Sequence, residues 1–86
     1  MSAARPYGDL VETITTVRFT PVRLREGYDM SAVDDLLDRV VGALGRAEPV
    51  LPVLDAARLP RGRLREGYDI AEVDDFLARL REAVGR

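Results

Sequence analysis

Two carboxylates four residues apart are the residues of this chain whose spacing best suits chemistry at a site. Asp34 and Asp38 would share one helix face, where such a pair can bind a metal ion or act as acid and base. The chain has no histidine and no cysteine, so the commonest general base and the commonest soft metal ligand are missing. It also lacks a nucleophile–base set and a phosphate-binding loop. We therefore interpret both residues as part of a solvated acidic face, and we expect a non-enzymatic protein with no metal and no cofactor.

Arginines around a phenylalanine form the second candidate site, and they suit contact with anionic lipid. An aromatic side chain beside arginines can enter a lipid interface, where each basic residue near the surface contributes about 1 kcal/mol. In the alternative interpretation, Phe19 packs under its own loop and the arginines pair with nearby acids. A net charge of −2 and the absence of a basic recognition helix argue against nucleic acid as a partner. The candidate membrane-contact residues are Arg18, Phe19, Arg23, Arg25, Arg58, Leu59 and Arg61.

The segment that contains these residues occurs twice, forty residues apart. Residues 23–40 and 63–80 are identical at twelve of eighteen positions. Such a period indicates two copies of one supersecondary unit, neither of which can bury a core alone. We expect a flexible tail over residues 1–8, a first repeat over 9–46 and a second over 47–86, together forming one small domain.

The longest apolar or proline run, residues 49–54, is far short of the roughly 20 residues of a membrane span, and the N-terminus does not resemble a secretory signal. We therefore expect a cytoplasmic protein.

A helix start is specified in the middle of each repeat. Asp29 and Asp69 suit the N-cap position, where a carboxylate accepts hydrogen bonds from free backbone amides. Glu72, three residues after Asp69, completes a predicted capping box. Each cap follows a glycine, which would supply a free φ angle, and a tyrosine spaced to pack on a valine of the first turns as a hydrophobic staple. The predicted cap and staple residues are Gly27, Tyr28, Asp29, Gly67, Tyr68, Asp69 and Glu72.

The apolar residues after each cap are spaced by three and four, which predicts a helix with a narrow seam for a partner helix. We therefore predict an all-α fold of two short-helix, loop and long-helix repeats, whose long helices pair as a short coiled coil. The pairing could join the repeats by a pseudo-twofold axis within the chain, form an antiparallel hairpin, or join two chains. The predicted seam consists of Met30, Val33, Leu37, Val40 and Leu44 in the first repeat, and of Ile70, Val73, Leu77, Leu80 and Val84 in the second.

The string that joins cap and seam resembles the N-terminal domain of DivIVA proteins. The matching residues are Gly27-Tyr28-Asp29 with Val33-Asp34 and Leu37, and Gly67-Tyr68-Asp69 with Val73-Asp74 and Leu77. Phe76-Leu77 matches the usual FL pair of that family, and Leu36-Leu37 departs from it. The family lacks the second copy found here and usually carries a long C-terminal coiled coil, which this sequence does not show.

The resemblance implies a scaffold of bacterial cell division or polar growth. Its N-terminal domain forms a parallel two-helix coiled coil with crossed loops, which present a hydrophobic residue and arginine to the membrane. We expect this chain to be a DivIVA-like scaffold or adaptor that touches anionic membrane at its cytoplasmic face through the loops around Phe19. The alternative is a coiled-coil interaction module that does not bind membrane and regulates a longer DivIVA-like protein. The expected partners are the chain itself, another DivIVA-like protein, or an anionic membrane surface.

Overall fold

The computed structural model describes residues 8–85 and shows four helices and a small sheet. Residues 1–7 of the predicted flexible tail, and Arg86, lie outside the described residues, whereas Gly8 begins the first helix. The helices are α1 (Gly8–Thr16), α2 (Met30–Gly45), α3 (Leu51–Asp55) and α4 (Ile70–Val84). The strands are β1 (Pro21–Val22), β2 (Gly27–Tyr28), β3 (Arg61–Gly62) and β4 (Gly67–Asp69).

The prediction of an all-α fold was wrong, because the segments before each long helix form a four-stranded antiparallel sheet. Strands of two or three residues are too short to show the alternating pattern by which a strand is predicted. Their hydrogen-bond partners also lie about forty residues away in the chain. Pro21 fits the sheet because β1 is an edge strand, where a missing backbone N–H costs no ladder hydrogen bond.

The sheet interlocks the two repeats, because its strand order is β1-β4-β2-β3. A strand of the second repeat lies between β1 and β2, and a strand of the first lies between β4 and β3. Tyr28 pairs with Tyr68 at the centre of the sheet. Every other strand pairing is repeated forty residues further on, which defines a pseudo-twofold axis through this tyrosine pair. The two repeats of one chain therefore form a single pseudosymmetric unit.

The helix packing differs from the predicted two-helix coiled coil. The principal contacts join α1 to α2, and α3 to both α2 and α4. The apolar stripe of a helix can be covered by any apolar surface. The three-and-four spacing therefore predicted which faces of α2 and α4 are buried, but it did not predict which elements cover them. The predicted seam residues are nevertheless removed from solvent. Val33, Leu37, Val40, Val73 and Leu80 are buried, and Met30, Leu44, Ile70, Leu77 and Val84 are half-buried.

Both long helices begin at the predicted aspartates, although the predicted capping box does not form. Asp29 accepts a hydrogen bond from the backbone N–H of Ser31, and Asp69 accepts one from the backbone N–H of Glu72. In a capping box the Glu72 carboxylate would return to the backbone of Asp69. It instead accepts hydrogen bonds from the backbone N–H and the hydroxyl of Thr20, at 2.7 and 2.9 Å. Glu72 therefore joins the start of α4 to the loop of the other repeat.

Candidate functional site

Two leucines at the tips of equivalent loops are the most exposed large hydrophobic side chains in the described part of the chain. Leu24 lies between β1 and β2 and is 96% exposed, and Leu64 lies between β3 and β4 and is 100% exposed. Leucine is usually buried, and full exposure leaves its apolar surface in contact with water. We refer to residues 23–25 and 63–65, each with the sequence Arg-Leu-Arg, as the first and second tips.

The sheet places both tips on one side of the molecule. Val22, before the first tip, pairs with Gly67, after the second, and Gly62, before the second tip, pairs with Gly27, after the first. Each loop must therefore cross the strand of the other repeat that separates its two ends. The pseudo-twofold axis exchanges the antiparallel neighbours β2 and β4, so it runs perpendicular to the sheet. Rotation about such an axis keeps each face of the sheet in place, so the two loops cross the same face. The tips form one surface with two leucines.

Two glycines allow the strands below the tips to approach closely. A Cβ atom on Gly67 would lie 2.7 Å from the carbonyl oxygen of Tyr28, and one on Gly27 would lie 2.6 Å from a methyl carbon of Val22. No glycine among residues 8–85 has a positive φ. The predicted need for a free φ at Gly27 and Gly67 was therefore the wrong reason for these glycines, which instead leave room for the neighbouring strand.

The tips carry more positive charge than their ion pairs neutralise. Arg25 forms a 2.9 Å ion pair with Asp69, and this contact, after the backbone N–H of Glu72, helps to hold the pKa of the Asp69 carboxyl below its usual value. Arg23, Arg63 and Arg65 form no ion pair with any residue of 8–85. Three guanidinium groups beside two exposed leucines are therefore available to an external anionic partner.

The predicted membrane-contact residues are divided between this surface and the interior. Phe19 is half-buried, and its ring centroid lies 5.4 Å from that of Tyr68 and 5.6 Å from that of Phe76. Arg18 donates hydrogen bonds to two backbone carbonyls just before it. Of the other predicted residues, Arg23 and Arg25 belong to the first tip, Arg58 is exposed, Leu59 packs against the core, and Arg61 lies over the Tyr28 ring at 5.4 Å.

Sequence reasoning missed Leu24 and Leu64, although a signal for them was present. Both leucines fall outside the three-and-four spacing of the helices, and both stand between two arginines in the identical part of the repeat. An apolar residue that belongs to no periodic face and sits in a charged loop has no core to enter. We predicted Phe19 as the membrane contact because it is aromatic, but its ring packs against the rings of Tyr68 and Phe76.

The tyrosines link the repeats beneath this surface. The Tyr28 hydroxyl donates to Asp74 at 2.6 Å, and the Tyr68 hydroxyl donates to Asp34 at 2.9 Å. Burial, followed by the neighbouring carboxylate, raises the pKa of both tyrosines above 10.0. Asp34 thus has a structural partner in the other repeat. Within residues 8–85, no cluster of three or more acidic, histidine or cysteine side chains could hold a metal ion.

Comparison of the chain with protein-family models, with curated proteins and with solved structures found no match in any of the three. Among the described helices, none is both long enough and apolar enough to cross a membrane.

Proposed function

We propose that this chain is a non-enzymatic, DivIVA-like adaptor of bacterial cell division or polar growth, which binds anionic membrane at the cytoplasmic face through its two tips. The observation that carries the proposal is the exposure of Leu24 and Leu64, each between two arginines. The resemblance of the repeated GYD string to DivIVA N-terminal domains supports the biological setting.

The chemistry of the tips suits a lipid interface better than it suits bulk water. Full burial of a leucine side chain contributes about 1.5–3 kcal/mol, and each arginine near an anionic surface contributes about 1 kcal/mol. Because both tips lie on one face, both leucines can enter the same flat surface. Insertion of two side chains is still a weak anchor for one chain, so stable attachment requires several adaptors held together.

Flotation with liposomes tests this proposal. We expect the wild-type protein, crosslinked into multimers, to float with vesicles that contain anionic lipid and to stay in the soluble fraction with neutral vesicles. Leu24→Ser/Leu64→Ser should reduce flotation strongly, because the inserted apolar surface is lost. Leu51→Ser is the control, since Leu51 is 37% exposed and lies in α3 rather than in a tip. Added salt should weaken binding, because the interaction of exposed charges is screened.

Phe19→Ala distinguishes the tips from the wedge predicted at Phe19. If the tips bind lipid, a folded Phe19→Ala variant should float as the wild type does, with the fold checked by circular dichroism. Loss of flotation in that variant alone would assign the contact to Phe19 instead. Failure of the wild-type protein to float with anionic vesicles when it is crosslinked into multimers would overturn the membrane proposal altogether.

A further inference from the structure

A groove between α1 and α2 has an apolar floor and an acidic rim. Its volume is about 400 Å³, and its mouth opens to solvent. The groove continues toward the aromatic pair Phe19 and Tyr68, which also line it. The floor residues are Ile14, Val17, Leu37 and Val41, and the rim carboxylates belong to Asp34 and Asp38.

The rim of this groove is negatively charged on balance. Asp38 forms no hydrogen bond or ion pair with any residue of 8–85. Asp34 uses one carboxylate oxygen for the Tyr68 hydroxyl. Among residues 8–85, Arg18 is the one cation that lines the groove, and its guanidinium group donates to backbone carbonyls at 3.0 and 3.2 Å. A cationic group that enters the groove therefore meets two carboxylates and one arginine already engaged with the backbone.

The equivalent place in the second repeat is bridged by an ion pair. Arg81 of α4 and Asp55 of α3 meet at 2.7 Å. Forty residues earlier, the corresponding residues are Val41 of α2 and Thr15 of α1, which form no such bridge. The groove of the first repeat therefore lies where the charged pair of the second repeat is replaced by an apolar and a small polar side chain.

We propose that this groove binds the second tip of another copy of the chain, with Leu64 on the apolar floor and Arg63 and Arg65 beside the acidic rim. The second tip is the better match, because both of its arginines are unpaired among residues 8–85, whereas Arg25 of the first tip is held by Asp69. Leu64 is fully exposed and so is free to enter a neighbour. The proposal does not rest on membrane binding, since tip and groove meet in the absence of lipid.

The contact joins two different surfaces, so it does not close on itself as a twofold dimer would. Each copy presents one groove and one second tip, and a chain bound through its tip still has a free groove. Such a heterologous contact builds open assemblies, whose mass continues to rise with concentration. Assembly of this kind would also hold several adaptors together, as multivalent attachment to a membrane requires. Because the second tip of each docked chain is occupied, that chain would contact lipid through Leu24 of its first tip.

Sedimentation equilibrium in lipid-free buffer tests the contact, at concentrations up to ~1 mM because a single-leucine contact is weak. The average mass of the wild-type protein should rise with concentration beyond that of a dimer. Thr15→Asp/Val41→Arg transplants the ion pair of the second repeat into the first, and it should weaken association roughly tenfold or more. Leu64→Ser should do the same, whereas Leu24→Ser should have a smaller effect.

Circular dichroism spectra that match the wild type would show that each variant is folded. A wild-type protein that stays monomeric throughout the concentration range would overturn the proposal. Association that survives both Leu64→Ser and Thr15→Asp/Val41→Arg would overturn it as well, because the contact would then use other surfaces.

A spin label gives a direct test of the position of the tip. The chain has no cysteine, so Glu66→Cys provides one labelling site next to the second tip and leaves its three residues intact. In a mixture with an isotope-labelled copy that lacks the spin label, we expect broadening of the methyl signals of Ile14, Leu37 and Val41. Leu54 and Leu77 of the second repeat serve as the control and should stay sharp. Broadening at the control residues alone, or at none of the five, would refute docking in the groove.

Flotation separates this inference from the proposed membrane function. Thr15→Asp/Val41→Arg leaves both tips intact, so a folded variant should lose self-association and still bind anionic vesicles when crosslinked into multimers. Membrane binding without self-association of the wild type would overturn the groove proposal only. Self-association without flotation would overturn the membrane proposal only.

Discussion

The Tyr28 hydroxyl of the first repeat donates a 2.6 Å hydrogen bond to the Asp74 carboxylate of the second repeat. The same bond occurs again on the other side of the pseudo-twofold axis, from Tyr68 to Asp34 at 2.9 Å. The tyrosine of each GYD string thus donates to an aspartate in the first turns of the long helix of the other repeat. This reciprocity explains why the sequence contains both residues in both copies, since each copy supplies the donor for one bond and the acceptor for the other.

Removal of the Tyr28 hydroxyl should destabilise the domain more than removal of the Tyr68 hydroxyl. Tyr28 is buried and its bond is the shorter of the two, whereas Tyr68 is half-buried. Tyr28→Phe should lower the free energy of unfolding by about 0.5–1.5 kcal/mol, the usual net contribution of a hydrogen bond. Tyr68→Phe is the matched comparison and should cost less. Urea unfolding measures both changes, and equal losses would show that burial does not distinguish the two bonds.

The sequence predicted the parts of this fold that depend on neighbours in the chain. The caps at Asp29 and Asp69 and the buried faces of the long helices follow from spacings within four residues. The sheet could not be predicted in this way, because Val22 finds its partner Gly67 only after the two repeats have come together. The same holds for the tyrosine–aspartate bonds and for the placement of both tips on one face, which depends on how the loops cross.

The alkaline limit of stability should reflect the two tyrosines. Burial, followed by the neighbouring carboxylates, raises the pKa of both hydroxyls above 10.0. A group whose pKa is raised by folding stabilises the fold fully below its ordinary pKa, and that contribution is lost as the pH rises through its folded pKa. We therefore expect the free energy of unfolding to fall as the pH increases above about 10. The fall should be smaller in Tyr28→Phe/Tyr68→Phe, and urea unfolding across a pH series would show whether the two proteins differ.

Thr20 and Glu72 form a polar pair whose counterparts across the pseudo-twofold axis are apolar. Thr20 donates both its backbone N–H and its hydroxyl to the Glu72 carboxylate. Forty residues away, the positions that correspond to these two are occupied by Pro60 and Ala32. Proline has no backbone N–H to donate, and alanine has no side-chain acceptor, so neither residue leaves the other without a partner. One pair therefore satisfies its polar groups by hydrogen bonding, whereas the other pair has no such groups to satisfy.

A double-mutant cycle should show that Thr20 and Glu72 act as a unit. Glu72→Ala alone should lower the free energy of unfolding by about 0.5–1.5 kcal/mol, because both Thr20 donors lose their acceptor. Thr20→Pro alone should also destabilise the domain, since it leaves the Glu72 carboxylate without its two donors. In Thr20→Pro/Glu72→Ala, which copies the Pro60 and Ala32 pair, the loss should be smaller than the sum of the two single losses. Urea unfolding of the four proteins measures this difference. Additive losses would mean that Thr20 and Glu72 contribute independently to the free energy of unfolding, which would contradict the proposed coupling.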